Sequence, residues 1–175
     1  MTVRILVTVG THEQPFQRLL RMVEHGVNLP DTEWVVQYGA GTFASGRAVE
    51  ARSYFSHEEI AKWNAWADLV ISHASPGAVF DALRAGAQPL VVPRRRFRGE
   101  HVNDHQVEFA KRLVELGLAR TADREAEMLQ EVLAIECETD LDRSGRIASI
   151  YEDSQRRQAD FVAAFMEALE MFRAD

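Results

Sequence analysis

One segment of the chain, residues 68–106, contains two consecutive strand–loop–helix units. Leu69-Val70-Ile71 and Leu90-Val91-Val92 are short runs of branched apolar residues, which is typical of buried strands. Each run is followed by a polar loop and then by a stretch with helical spacing of apolar residues. Because parallel strands need such a crossover, the segment predicts two parallel strands. In sheets of this class ligands bind beyond the carboxyl ends of the strands, so the two polar loops predict one shared site.

The same alternation extends over roughly the first 120 residues. Further strands are predicted at Val3–Val9, Glu33–Tyr38 and Val49–Phe55, with a short extended piece at Leu118–Thr121. Helices are predicted at Pro15–Glu24, from Ser56 through Trp66, Gly77–Arg84, Asn103–Leu116 and Glu125–Leu133. Ser56 and Glu59 form a capping-box pattern, and Gly86 and Gly117 are natural helix stops. The pattern predicts an α/β fold with a doubly wound, parallel, Rossmann-like sheet and right-handed crossovers.

Composition limits the classes of protein to which the chain can belong. It has 175 residues, 46% hydrophobic and 27% charged, which suits a single folded domain. A net charge of −7 argues against general nucleic-acid binding. The single cysteine, Cys137, excludes an internal disulfide and a cysteine zinc cluster, and it fits a reducing compartment. The start of the chain does not resemble a signal peptide, and no apolar run approaches the roughly 20 residues that span a bilayer. We therefore expect a cytoplasmic protein.

The last forty residues have a different character. Helix formers dominate from about residue 141 to residue 172, and apolar side chains mark two faces. Ile147, Ile150 and Tyr151 mark one, and the other carries Phe161, Val162, Phe165, Met166, Leu169 and Phe172. We therefore predict a Rossmann-like domain over residues 1–135 and a helical extension, with a long C-terminal helix, over residues 136–175.

The loop after the first predicted strand begins with Gly10 and Thr11. Glycine allows the backbone to approach a ligand closely, and the N–H groups that begin a helix attract anions. The alternative is an ordinary strand–helix turn in which Thr11 caps the helix.

The loop after residue 71 carries one imidazole, His73, among small residues. His73 is suited to donate a hydrogen bond to a phosphate, with the Ser75 hydroxyl and the N–H groups of Gly77 and Ala78 as further donors. Asp81, one helical turn later, could accept two hydrogen bonds from a ribose diol. The alternatives are a structural histidine that caps a turn and a solvated helix carboxylate.

The loop after residue 92 is rich in charge, with arginines at positions 94, 95, 96 and 98. This cluster could neutralise a diphosphate, dock an acidic partner surface or simply be solvated. Four residues of types that bind sugar hydroxyls follow: Glu100, Asn103, Asp104 and Gln106. His101 and His105 have a spacing that can bind metal, but no third ligand is evident, so we expect no metal site.

Three segments, VTVGTHEQPFQRLL, ISHASPGAVFDAL and PLVVPRRRFRGEHVNDHQ, together carry a family resemblance. In this order and spacing they resemble the C-terminal, donor-binding half of the family 28 glycosyltransferases. More closely, they resemble the small subunits of two-chain enzymes that act on dolichol-linked or polyprenol-linked acceptors or in exopolysaccharide assembly. The resemblance covers roughly residues 3–120 and implies one lobe of a GT-B fold.

The resemblance also implies roles for individual residues. His73 matches a histidine that contacts the donor diphosphate, and Asp81 matches an acidic residue that binds the ribose. Glu100 and Asn103, with Asp104 and Gln106 nearby, match the region that holds the donor sugar. Gly10 and Thr11 match the loop that faces the cleft between lobes. Ser75 and Ala78 depart from the usual glycine and hydroxyl residue, so the phosphate contacts would differ in detail.

Finally, the resemblance implies a reaction and a partner. The donor would be a UDP-sugar, transferred with inversion, with neither a metal nor another cofactor. A membrane-anchored subunit would bind the acceptor, supply the general base and hold the chain at the inner face of the membrane. The C-terminal helix could dock there, self-associate or pack on its own sheet. Two other readings stay open: a nucleotide-sugar-binding protein without catalysis, and a nucleotide-sugar epimerase.

Overall fold

A six-stranded parallel sheet forms the centre of the molecule in a computed structural model of the chain. The structure describes residues 2–44 and 46–136, together with the isolated positions 145, 149 and 152. The strands are β1 (Val3–Thr8), β2 (Thr32–Gln37), β3 (Glu50–Arg52), β4 (Leu69–Ser72), β5 (Gln88–Val91) and β6 (Arg120–Thr121). Their order is β3-β2-β1-β4-β5-β6, so the chain winds outward in both directions from β1 and β4.

Helices alternate with these strands along the chain. They are α1 (Gln17–Gly26), α2 (His57–Trp66), α3 (Pro76–Arg84), α4 (His105–Glu115) and α5 (Glu125–Glu136), and a short 3-10 turn covers Arg96–Arg98. The strand periodicity of two sends alternate side chains to opposite faces of the sheet. Ile5, Trp34 and Leu90 pack with α1 and α5 on one face. Leu6 and Val35 pack on the other face, with α2 and α3.

The doubly wound parallel α/β fold predicted from the sequence is confirmed. The Ser56–Glu59 capping box is present, and Gly86 and Gly117 adopt positive φ where α3 and α4 end. Several predicted boundaries were wrong. The third strand is only three residues long, and α1 begins two residues later than predicted.

The predicted start of the fourth helix, at Asn103, was also wrong, because α4 begins at His105. Asp104 has non-helical dihedrals, and its carboxylate accepts a hydrogen bond from the backbone N–H of Arg96 at 2.9 Å. This contact ties Asp104 to the preceding loop. The predicted extension over residues 136–175, its long helix and Cys137 fall outside the described residues, apart from the few positions named above.

An ion pair connects the two central strands, β1 and β4, at their amino ends. The Asp68 carboxylate accepts from the Arg4 guanidinium at 2.9 and 3.1 Å and from the Arg4 backbone N–H at 2.9 Å. Asp68 is only 6% exposed, and its own N–H donates to the Arg4 carbonyl. The paired carboxylate raises the pKa of Arg4. This contact holds β1 and β4, the two strands from which the sheet winds outward, in register.

We predict that Asp68→Ala lowers the free energy of unfolding by about 2 kcal/mol, because a buried backbone N–H loses its acceptor and Arg4 loses its counter-ion. Urea unfolding measures the change. The matched control is Glu115→Ala, which removes an exposed partner of Arg112. The control should cost less than about 0.5 kcal/mol. Equal losses in the two variants would contradict the anchoring role of Asp68.

Candidate functional site

Three loops emerge side by side at the carboxyl ends of β1, β4 and β5. Val7 of β1 is in register with Ile71 of β4, which in turn is in register with Leu90 of β5. The alternation that directs Ile71 and Leu90 toward α1 continues past the strand ends, so His73 and Arg94 follow on the same side of the sheet. The polar loops therefore meet at one edge of the sheet, as the sequence predicts.

Arg94 is the most deeply buried charged residue of this edge, at 1% exposure. Its guanidinium lies over the Phe16 ring, 4.6 Å from the centroid. It donates to three backbone carbonyls: those of Val9 at 3.2 Å, Gln14 at 2.9 Å and Glu100 at 3.1 Å. Burial lowers the pKa of Arg94 to about 10, so it is still charged at pH 7. One cation thus joins the loop after β1 to the loop after β5.

His73 packs directly against Gly10. A Cβ atom at position 10 would lie 2.5 Å from Cε1 of the imidazole, and Gly10 has φ +78°, so no other residue fits without displacing the ring. The His73 Nδ1 atom is buried without a hydrogen-bond partner. Burial, followed by the charge of Arg94, lowers the pKa of His73 to about 4. His73 is therefore neutral at pH 7, and its ring also hydrogen-bonds to the Thr8 backbone, as a structural histidine would.

Two more imidazoles lie at this edge. The ring centroids of His12, after β1, and His101, after β5, are 5.6 Å apart. His12 is exposed, whereas His101 is half-buried and its Nδ1 lies 3.1 Å from the Asn103 side-chain oxygen. Burial, assisted by His12 and Arg94, lowers the pKa of His101. With His73, imidazoles from three adjacent loops converge at this edge.

The predicted anion-binding turn is the start of α3. Ser75 is its N-cap, and the Ser75 hydroxyl accepts from the Ala78 N–H at 3.4 Å. Pro76 occupies the first helical turn, and Gly77 is exposed beside it. The helix thus directs the positive end of its dipole toward the edge that carries His73.

Thr11 does not cap a helix, so that alternative was wrong. The residue is exposed, and α1 begins six residues later, after Phe16, with no side-chain cap. The intervening loop lies across the edge of the sheet, and Gln14 donates to the Gly99 carbonyl at 3.0 Å.

Asp81 lies apart from the imidazoles, in a recess between α2 and α3. The recess has a volume of about 170 Å³ and is lined by His57, Ala61, Asn64, Asp81, Arg84 and Ala85. A cavity of about 150 Å³ can hold a six-membered ring, so this recess has room for one ring of a nucleoside. His73 is not among its lining residues.

The four predicted sugar-binding side chains all have protein partners. The Glu100 carboxylate, 8% exposed, forms a two-pronged pair with Arg18 at 2.8 and 3.0 Å and accepts from the Arg95 N–H at 3.0 Å. Gln106 is 4% exposed, and its side-chain oxygen accepts from the Arg94 N–H. Asp104 and Asn103 contact Arg96 and His101, as described above. These side chains hold the loop in its present shape and would have to exchange partners to bind a sugar directly.

The arginine cluster divides into two halves. Arg94 is buried, and Arg95 pairs with Asp123 at 2.8 Å. Arg96 and Arg98 are exposed on the 3-10 turn and flank Phe97, which is 74% exposed. The four arginines therefore do not form one solvated basic loop, because half of the charge supports the loop from within.

Neither a metal cluster nor a membrane span occurs in the described part of the chain. No three His, Cys, Asp or Glu side chains there are placed to hold a metal ion. Within the same residues, no helix is long and apolar enough to cross a bilayer.

From the sequence, Arg94 was named only as one of four clustered arginines, and His12 was not named as a site residue. A signal for Arg94 was present, because it continues the alternation of Leu90 and Val92, two residues that pack toward α1. His12 had no such signal, since its position depends on how the loop crosses the edge of the sheet.

Comparisons with known proteins agree with this architecture. Residues 4–153 match the family model of the glycosyltransferase family 28 C-terminal domain. A relative from Yarrowia lipolytica, "UDP-N-acetylglucosamine transferase subunit ALG13", is 32% identical over an alignment 124 residues long, which covers 64% of this chain and 61% of the relative.

Solved glycosyltransferases share the fold. That of kitacinnamycin superposes with a TM-score of 0.65 at 22% identity, over 93% of this chain and 43% of the other. The calicheamicin glycosyltransferase CalG4 superposes with a TM-score of 0.62 at 19% identity, over 96% of this chain and 44% of CalG4. MurG of Acinetobacter baumannii superposes with a TM-score of 0.52 at 18% identity, over 87% of this chain and 50% of MurG. The chain thus spans about 61% of the curated relative and half or less of these structures. It belongs to the glycosyltransferase family 28 C-terminal domain family, and its fold is that of one lobe of a GT-B glycosyltransferase.

Proposed function

We propose that this chain is the donor-binding subunit of an inverting glycosyltransferase that takes a sugar from a UDP-sugar. The observation that carries the proposal is the convergence of His12, His73, His101 and buried Arg94 at the carboxyl edge of β1, β4 and β5. Arg94 donates only to backbone carbonyls in the described contacts, so no carboxylate in hydrogen-bond contact neutralises it. An electropositive pocket in a chain of net charge −7 suits a diphosphate.

The reaction consistent with this pocket is displacement at the anomeric carbon. An acceptor oxygen bonds to that carbon as the bond to the diphosphate oxygen breaks, and the electron pair leaves with the diphosphate. The N-terminus of α3 and the charge of Arg94 would stabilise the leaving group. The neutral His73 ring has a single N–H, so it would contribute by donating that proton to the diphosphate in place of the Thr8 backbone. The proton of the acceptor hydroxyl would go to a base on a second subunit. No metal or other cofactor is assigned to this step.

The recess at Asp81 supports the nucleoside half of the proposal. A carboxylate accepts hydrogen bonds from a ribose diol, and the recess has room for one ring. Asp81 and His73 belong to one strand–loop–helix unit, and the proposed nucleotide would have to extend from the edge that carries His73 to the recess between α2 and α3. The sugar would lie toward the loop that Glu100, Asn103, Asp104 and Gln106 hold in place.

The acceptor side belongs to a partner in this proposal. The curated relative is named as a transferase subunit, and this chain spans less than half of the kitacinnamycin and calicheamicin enzymes. We infer a membrane-anchored subunit that binds a lipid-linked or polysaccharide acceptor and keeps this chain at the cytoplasmic face. Exopolysaccharide assembly is the proposed setting.

We predict that His73→Ala weakens UDP binding about 10-fold to 100-fold, the cost of removing a hydrogen bond to a charged group. Isothermal titration calorimetry at pH 7 measures the affinity, and thermal unfolding checks that the variant folds. An unchanged affinity in a folded variant would remove His73 from the diphosphate pocket.

Gly10→Ala should weaken UDP binding about 10-fold, because the new Cβ displaces the His73 ring. Gly117→Ala is the matched control: φ is also positive, at +68°, but nothing lies within 4 Å of the added Cβ. The positive φ alone should cost each variant about 1 kcal/mol of stability, and the contact with His73 adds to the loss in Gly10→Ala. Equal UDP affinities in the two variants would contradict the packing argument.

Catalysis is tested by adding the chain to membranes that contain the product of its neighbouring gene and measuring transfer from labelled UDP-sugars. We expect transfer only when both proteins are present. UDP binding without transfer from any UDP-sugar would favour the non-catalytic binding protein.

A further inference from the structure

Arg18, in the first turn of α1, holds the loop after β5 with a single guanidinium group. Its Nε and Nη2 atoms donate to the two carboxylate oxygens of Glu100 at 2.8 and 3.0 Å. Nη2 also donates to the Pro93 carbonyl at 2.7 Å. Nη1 donates to the carbonyl and the carboxylate of Asp123 at 2.8 and 3.2 Å. A guanidinium has five N–H donors, and these contacts use all of them, so Arg18 has no donor left for a ligand.

The contacts of Arg18 hold the loop after β5 at both of its ends. Pro93 lies at the start of this loop and Glu100 at its end. The Glu100 side chain is bound by Arg18, and its backbone carbonyl accepts from Arg94 at 3.1 Å. Two cations therefore fix Glu100, one through its side chain and one through its backbone.

The groups that follow Glu100 depend on this attachment. The ring of His101, the next residue, lies 5.6 Å from that of His12 at the edge of the sheet. The Asn103 side-chain oxygen lies 3.1 Å from Nδ1 of His101. Because Glu100 is fixed at two points, the segment that begins with His101 leaves it in a defined direction along the edge.

Arg18 and Arg94 differ in what else they hold. Both guanidinium groups lie over the Phe16 ring, at 5.2 and 4.6 Å from its centroid. Arg94 also donates to the carbonyls of Val9 and Gln14 in the loop after β1, and these contacts do not involve Arg18. Loss of Arg18 would therefore release the Glu100 side chain while Arg94 stays attached to the loop after β1.

We propose that Arg18 is a positioning residue for the donor sugar, which acts by fixing the loop after β5 in the shape that fits that sugar. The inference rests on the proposed function, in which the sugar lies toward this loop, and it deepens it by assigning a specificity-determining role to a residue of α1. Because Arg18 acts through Glu100 and not on the ligand, its loss should weaken the hold on the sugar and leave that on UDP.

Calorimetric titration of the full chain at pH 7 compares UDP with UDP-glucose, UDP-galactose and their N-acetyl forms, and the UDP-sugar that binds most tightly is the probe. In Arg18→Met we expect the affinity for this probe to fall about 10-fold. The affinity for UDP should change less than about 2-fold. Arg18→Lys keeps the charge without the two-pronged geometry and should restore part of the loss. Arg21→Met, an exposed position on the same helix, is the matched control and should behave like the wild type.

A double variant tests whether Arg18 acts through Glu100. Arg18→Met leaves the buried Glu100 carboxylate without its main partner, so thermal unfolding checks that each variant folds. The double variant Arg18→Met/Glu100→Gln removes both charges of the pair and leaves neither unpaired. We expect it to bind the UDP-sugar about as tightly as Glu100→Gln alone. A further loss of about 10-fold in the double variant would overturn the proposal.

The remaining outcomes separate this inference from the proposed function. Equal weakening of UDP and of the UDP-sugar in a folded Arg18→Met chain would show a merely structural role and overturn the inference. Unchanged affinities for both ligands would also overturn it, and in either case the donor proposal stands. Binding of neither UDP nor any UDP-sugar by the wild-type chain would overturn both.

Discussion

The guanidinium of Arg94 must find acceptors inside the protein, because an unpaired buried cation is very costly. It finds them on the carbonyls of Val9, Gln14 and Glu100, which belong to two different loops. These loops cannot separate without leaving the cation unsatisfied, so the charge fixes the shape of the edge as well as its potential. The positions of the three imidazoles follow from it: His12 and His101 are carried by the joined loops, and His73 lies between them in the strand order.

Two further arginines, Arg18 and Arg95, bind the carboxylates next to Arg94. Arg18 binds Glu100 and Asp123, and Arg95 binds the Glu100 side chain through its N–H and Asp123 through its guanidinium. Each carboxylate is thereby paired with an arginine other than Arg94. The charge of Glu100 still acts on Arg94, but its carboxylate oxygens bond to Arg18 and to the Arg95 backbone N–H. The overall acidity of the chain is thus compatible with a local positive potential at one edge.

Strand and helix positions could be predicted because burial produces recognisable runs and spacings of apolar residues, as in Leu69–Ile71. The start of α2 could be predicted from the capping box at Ser56. The expectation that the site lies at the carboxyl edge followed from parallel topology alone, and the meeting of the three loops there agrees with it. The contacts made by Glu100 and Gln106 could not be predicted, because types that suit a sugar hydroxyl equally suit Arg18 or a backbone N–H. A polar side chain binds the partner that the folded structure places closest to it. The spacing of residues in the sequence does not reveal which partner that is.

The exposure of this edge to water affects how strongly its charges can stabilise a bound anion. His12, Thr11, Gly77 and Phe97 are all exposed, so water reaches the outer face of the pocket. Hydrogen bonds and charges stabilise a leaving diphosphate far better when water is excluded, since the effective dielectric constant then falls. Arg94 and the Nδ1 atom of His73 are already buried. A surface that covered Phe97 and the neighbouring loops would exclude water from the whole pocket. The same charges would then stabilise the leaving group more strongly without any change in their positions.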